Sequence, residues 1–520
     1  MTITSKEDAN MQLNKNLTTT DLINKYSSHI ICLIIVTLSF TLMMYYGDRR
    51  SLWLDDLSTI AFVGPGQSLR EVIDNIMYDA LAVPPLFYII AFFWIRIAPY
   101  GTLWLLIPSI IFTVIGMYMC GIIARKLKGN RAAVLATIIA SASTFQILHG
   151  AYTFRMYGLL FLMSVLCIYF YVLRLENPEK VTRYVLLYGI ASALIMYTNY
   201  FGILVVAALG LCDLVLLAVK KLKMRHMLAY VLAGALFLPF FIPVLLRQME
   251  RQFGSWVPRP YTDAMSQLFT TMTSYSSIVG FLFAVGAVGG LILLFSTKLR
   301  EALFLNRKQL FSTLTQAFTL IFVIGTAYYY SRYINPEGSV FWPRYFISTL
   351  PQLLIVAALG AEYILTALLR GWPKIISRIT SSAIATALAI TLGISTFQAV
   401  QHHANTYLQP FREAANWIVE QEDAYEPDTL VVTRAFARGF SYYITQNGQR
   451  PHIEVILAWT PHQLNTFIQQ NHADWRTIYR FDGHPRLDCG ELYVLNTRYE
   501  LTEEIWKWGS VIYVYRRIDN

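Results

Sequence analysis

Charge is what this chain has least of. Asp, Glu, Lys and Arg together make 14% of its 520 residues, while 55% are hydrophobic. Soluble domains carry about 25% charged residues, so this balance excludes a soluble globular protein and points to a polytopic membrane protein. Cysteine is also scarce. Of five, Cys32, Cys120, Cys167 and Cys212 lie in or beside apolar runs and Cys489 stands alone far downstream. That scatter gives neither a disulfide framework nor a thiolate metal site. No internal repeat is visible, no low-complexity tract lies beyond the N-terminus, and no cluster of mid-span charges would form an ion relay. The net charge of +10 does not argue for nucleic acid, because the basic residues fall in short groups between apolar runs, as in cytoplasmic loops.

What the chain does have is long apolar runs. The first 28 residues, rich in Asn, Thr, Lys and Ser, are expected to form a disordered cytoplasmic tail (1–28). Ile30 to Tyr46 follows as a retained span, too long and without the cleavage site of a signal peptide. The basic stretches at Arg125–Lys128, Arg174–Arg183, Lys220–Lys223, Lys298–Lys308 and Arg370–Arg378 occur at every second connection, which the positive-inside rule makes cytoplasmic. Counting back from Arg125, the Pro84–Pro99 run must not cross. At about fifteen residues it is short of the roughly twenty a span needs, and it is expected as a juxtamembrane or re-entrant helix. Ser68 to Met77 suits an interfacial helix. About eleven spans result, near 30–47, 103–123, 132–148, 156–173, 184–199, 201–219, 227–246, 276–296, 309–330, 345–369 and 379–397. From Gln401 helix-like stretches (411–419, 461–468) alternate with strand-like ones (429–432, 453–457, 492–495, 511–515). The expected organisation is a polytopic α-helical membrane domain over 29–400 and a small extracytoplasmic α/β domain over 401–520.

The stretch Ser51-Leu52-Trp53-Leu54-Asp55-Asp56-Leu57-Ser58 follows directly on the first span. It puts two carboxylates at the membrane surface, where they can stay ionised beside water yet reach a lipid headgroup. Two readings are open: a polar turn whose carboxylates satisfy backbone donors, or the acidic centre of a membrane-embedded enzyme. The outer connections are aromatic-rich: Ala151 to Tyr157, Tyr197 to Phe201, the long Arg247 to Ser274 loop, and Ser331 to Tyr345. Three of them carry arginine. These arginines are either snorkelling cations of an aromatic belt or an anion site, because the planar guanidinium fork suits a phosphate held at this depth.

The order of motifs carries a resemblance. A Trp-x-Asp-acid motif after the first span is followed by Pro84-Pro85-Leu86-Phe87-Tyr88, Phe154-Arg155-Met156-Tyr157, Tyr197-Thr198-Asn199-Tyr200-Phe201-Gly202, Pro343-Arg344-Tyr345-Phe346 and an Arg412-Glu413-Ala414-Ala415 helix. Over nearly its whole length the chain resembles the bacterial GT-C glycosyltransferases related to protein O-mannosyltransferases and lipid A aminoarabinose transferases. The resemblance implies a polyprenyl-phosphate sugar donor, an active site on the external face of the cell membrane, and inversion at the anomeric carbon. It implies that Asp55 is the invariant acid, with Asp56 where glutamate is usual. Val83 and Asn199 stand where the family often has histidine, which puts a divalent metal site in doubt.

On this reading Asp55, with Asp56 second, is the general base that takes the acceptor's proton. Arg155, Arg332 and Arg344, with Tyr157 and Tyr345, hold the departing phosphate. Asp79, His149, Asn199, Trp256 and Arg259 are candidate acceptor or supporting residues, and the 247–274 loop is either a lid or a connector. The expected partners are the lipid-linked donor, membrane lipids and an acceptor glycan, lipid or protein. Two other functions share the same features: a flippase for a lipid-linked sugar, and an inactive receptor or scaffold of the same fold.

Overall fold

The computed structural model describes residues 19–49, 51–64, 66–78, 83–99, 101–177, 181–250, 257–302, 307–405, 411–421, 429–433, 440–446, 450, 453–457, 463–464, 466–467, 475–482, 499–507 and 510–518. Asp79, Trp256, Cys489 and the 492–495 stretch lie outside the described residues.

The apolar runs fold as helices because a helix satisfies every backbone donor and acceptor within itself, which hydrocarbon demands. Helix α1 (Thr19–Gly47) begins inside the stretch expected as a tail. Three short helices follow: α2 (Leu54–Val63), α3 (Leu69–Tyr78) and α4 (Leu86–Ile97). Helix α3 opens with a reciprocal cap in which the Ser68 N–H donates to Glu71 and the Glu71 N–H donates to Ser68 Oγ. The helices of the bundle that follow include α5 (Thr102–Lys128), α6 (Asn130–Ser141), α7 (Thr144–Ala151), α8 (Tyr157–Glu176), α9 (Val181–Thr198), α10 (Phe201–Ala218), α11 (Leu228–Glu250), α12 (Ala264–Met272), α13 (Ser277–Phe295), α14 (Arg307–Tyr329), α15 (Leu350–Leu368) and α16 (Lys374–Asn405). Among the described residues ten helices are long and apolar enough to cross a membrane, and the α6–α7 pair makes an eleventh if taken as one span. Helix α4 is too short for this, as its sequence indicates.

Two expectations change. The 132–148 run is not one straight span but bends by 51° between α6 and α7. Ser143 causes the break, because its side chain accepts from the Gln146 N–H and starts a new helix. The 247–274 connection is not an open loop either, since α11 runs to Glu250 and α12 fills Ala264–Met272. Helices α13 and α15 cross closely at Gly286 and Gly360, where an added Cβ would strike the carbonyls of Val356 and Leu282. Arg174, expected in a basic connection, instead lies in the last turn of α8 and meets Asp213, toward the end of α10, as a fully buried ion pair. Tyr230 also donates to Asp213 at 2.7 Å, Arg174 donates to the His226 carbonyl at 3.2 Å, and the rings of Tyr188 and Tyr171 pack on the guanidinium at 4.4 and 5.0 Å. The pair therefore ties α8, α9, α10 and α11 together.

The C-terminal unit is a five-stranded sheet of order β2-β1-β3-β5-β4, built from β1 (Thr429–Thr433), β2 (Glu454–Leu457), β3 (Thr477–Asp482), β4 (Tyr499–Lys507) and β5 (Ser510–Arg517). Strand β1 is parallel to β2 and β3, while β5 runs antiparallel to β3 and β4. Helix α17 (Phe411–Gln421) covers one face, with Phe411 against Phe440 and Phe481, and Trp417 against Tyr479. Strands β3 and β4 escape the sequence pattern. Arg480 interrupts one and glutamates crowd the other; pairing makes them strands, β3 between β1 and β5 and β4 on β5, whose first six residues are buried.

Candidate active site

Helix α2 organises the site. Trp53 is its N-cap in extended conformation, so Asp55 and Asp56 fall in the first turn, where a carboxylate meets the positive end of the helix dipole. Consecutive residues of a helix diverge by about 100°. The two acids therefore face different partners.

Asp56 is buried, 1% exposed, and not at a water-facing surface. One of its oxygens accepts from the Trp53 N–H at 3.0 Å, closing the first turn of α2. The other accepts from the Phe154 N–H at 2.8 Å. With both oxygens holding backbone, Asp56 fastens the Phe154-Arg155 turn onto α2. Its short side chain suits that task.

Asp55 is half-buried, with 26% of its side chain exposed, and lies 2.7 Å from Arg344. Arg344 enters from the 3₁₀ turn Pro343–Thr349 that opens α15, and it is itself only 6% exposed. Its guanidinium lies over the Trp53 ring at 4.5 Å and near the Tyr157 ring at 5.6 Å, and it hydrogen-bonds Tyr345. Arg155, buried, donates to Thr59 Oγ1 at 3.2 Å and to the Asp55 carbonyl at 3.4 Å. The Tyr88 ring stands 6.0 Å from that guanidinium. Burial raises the pKa of the Tyr88 phenol, with the positive charge of Arg155 working the other way, so the phenol stays neutral. One half-open carboxylate thus pairs with the buried Arg344, while the buried Arg155 holds the carbonyl of the same residue and aromatic rings pack on both cations.

Five of the sequence-selected residues meet here: Asp55, Arg155, Tyr157, Arg344 and Tyr345. Arg332 does not join them; it donates to the Pro260 carbonyl at 2.6 Å and pins the 257–260 segment, with Ser339 holding the Pro258 carbonyl at 3.0 Å. Asn199 is turned inward to accept from the Phe201 N–H at 2.9 Å, a local turn that starts α10. The His149 ring packs edge-on against Phe145 at 5.1 Å, and Arg259 is exposed. No three His, Cys, Asp or Glu side chains gather as metal ligands would among the described residues.

The sequence reading passed over Trp53 as the platform under Arg344, Thr59 as the partner of Arg155, and the link to the C-terminal unit. The last consists of Tyr443, whose hydroxyl accepts from the Leu52 N–H at 2.8 Å, and Arg412, which donates to the Asp48 and Arg49 carbonyls at 2.5 and 2.8 Å. The α/β unit therefore sits on the same end of the helix bundle as Asp55. Only the position of Trp53 within the motif could have signalled its role; the other partners are distant in sequence.

Comparison with known proteins follows the same lines. Residues 82–246 match the family described as dolichyl-phosphate-mannose-protein mannosyltransferase. The fold is similar to ArnT from Cupriavidus metallidurans in the apo state, with a TM-score of 0.61 and 14% identity over 93% of this chain and 97% of that one. The same protein bound to undecaprenyl phosphate gives a TM-score of 0.59 at 14% identity and the same coverage. The apo oligosaccharyltransferase from Archaeoglobus fulgidus gives 0.52 at 10% identity, covering 88% of this chain and 69% of that one. No curated protein matches the sequence.

Proposed function

We propose, for a chain with the GT-C membrane fold related to protein mannosyltransferases and aminoarabinose transferases, that it transfers a sugar from a polyprenyl-phosphate donor to an acceptor hydroxyl. The observation that carries this reading is the Asp55–Arg344 pair, with Arg155 beside it, at the mouth of the helix bundle. The likeness to a protein with undecaprenyl phosphate bound supports the class of donor.

In the reaction the acceptor oxygen attacks the anomeric carbon, the bond from that carbon to the phosphate oxygen breaks, and the hydroxyl proton passes to Asp55. The sugar inverts and polyprenyl phosphate leaves. Asp55 suits the base because it is half-open and its carboxylate is not spent on backbone. Asp56 does not share that role, since its oxygens hold the Trp53 and Phe154 amides; it positions the turn that carries Arg155. Arg344 and Arg155, fixed and buried, receive the charge that develops on the leaving phosphate. Arg344 is paired with Asp55. A donor phosphate competes for that guanidinium, so seating the donor releases the base.

The test is release of free polyprenyl phosphate by membranes or purified protein supplied with lipid-linked sugars and acceptor. General-base catalysis contributes about 10²- to 10⁴-fold, so Asp55→Asn should slow release by about that factor at normal expression. Undiminished release by Asp55→Asn removes the assignment.

A further inference from the structure

A cavity of about 220 Å³ lies where the α/β unit meets the helix bundle. Asp48 and Thr102 wall it from the ends of α1 and α5, and Arg412, Asn416, Tyr442 and Tyr443 from the α/β side. The volume would hold about seven waters at about 30 Å³ each, and falls below the roughly 300 Å³ where sites for drug-sized ligands begin. No aliphatic side chain lines it, which disfavours a lipid tail. An anion fits no better. Arg412 is already committed to the Asp48 and Arg49 carbonyls and to the Glu413 carboxylate at 3.0 Å, and the Asp48 carboxylate would repel a second negative charge. What remains is a carboxylate, an amide, a hydroxyl and two phenolic rings around a space the size of one sugar ring. Those are the groups that bond the edges of a neutral polyol and cover its C–H faces.

Its position is as informative as its lining. Tyr443, in the cavity wall, holds the Leu52 N–H, and Leu52 precedes Asp55 by three residues. Three residues span at most about 11 Å. The cavity wall is thus tied to backbone within about 11 Å of Asp55. We infer that this interdomain cavity binds a neutral saccharide unit of the acceptor, adjacent to the unit that receives the new sugar. The inference rests on the transferase reading and narrows it: the acceptor is a glycan of at least two units.

The experiment is saturation-transfer NMR on the purified full-length protein with lactose, cellobiose and N,N′-diacetylchitobiose as probes, and with undecaprenyl phosphate as a separate ligand. Asn416 is exposed on α17, so Asn416→Trp can fill the cavity without disturbing the core, and an unchanged melting temperature verifies this. At least one disaccharide should give a signal that falls tenfold or more in Asn416→Trp, while undecaprenyl phosphate binds both proteins equally. The proposal is overturned if undecaprenyl phosphate binds but no saccharide does, or if the saccharide signal ignores Asn416→Trp. If a saccharide binds in the cavity and undecaprenyl phosphate binds neither protein, the donor assignment fails and the cavity site stands.

Discussion

Asp56→Asn should loosen the site before it slows the chemistry. The carboxylate accepts two buried backbone N–H groups, from Trp53 at 3.0 Å and Phe154 at 2.8 Å. Asparagine has one carbonyl oxygen. Whichever way the amide turns, its NH₂ faces one of the two donors, so a charge-assisted bond is lost and a buried N–H is left without an acceptor. Charge-assisted bonds contribute about 1.5–3 kcal/mol and an orphaned buried donor costs about 1–3 kcal/mol; because both describe one lost contact they overlap and do not add in full, and the local loss is about 2–4 kcal/mol. If amide exchange at Phe154 proceeds by local opening, that loss speeds it about 30- to 1,000-fold. Hydrogen exchange on the peptide spanning 150–157, with thermal unfolding in detergent, reads both effects. Asp56→Asn should lower the melting temperature more than Asp55→Asn, and Asp55→Asn should lose more turnover than Asp56→Asn. Wild-type exchange at Phe154 in Asp56→Asn, or two variants that lose stability and turnover in parallel, would refute the division of labour between these neighbours.

Other expectations follow from the same geometry. Arg344→Ala removes a fixed donor aimed at developing charge, worth about 3–4 kcal/mol, so transfer should fall about a hundredfold or more; an unchanged rate and donor dependence would leave Arg344 a bilayer anchor. Arg332→Ala should change transfer far less than Arg344→Ala, because Arg332 holds the Pro260 carbonyl and not Asp55, and comparing the two initial rates is sufficient. Asp213→Ala strands Arg174 in the bundle and should destabilise by about 3–5 kcal/mol, whereas the double change Arg174→Met with Asp213→Leu should recover most of that in thermal melts. Gly360→Leu should prevent α13 and α15 from approaching at Leu282 and should be seen as loss of monodisperse protein in size-exclusion chromatography.

Much of this was legible before any coordinates. Apolar runs of a bilayer's length, basic groups at alternate connections and a shift to strand-like alternation are local patterns, and they placed ten long helices and the terminal sheet, though not the bend between α6 and α7. The motif order also selected Asp55, Arg155, Tyr157, Arg344 and Tyr345, which converge. Tertiary structure decided everything that depends on which distant side chain arrives at a point. It separated Arg332 from Arg344, two arginines in the same aromatic connection, because one lies on the π-helical end of α14 and the other on the turn into α15. It turned Asn199 into a helix start and joined Arg174 to Asp213, charges that look isolated along the chain. It divided Asp55 from Asp56 because a helical first turn aims adjacent residues about 100° apart, a consequence of backbone geometry that two identical letters side by side cannot express.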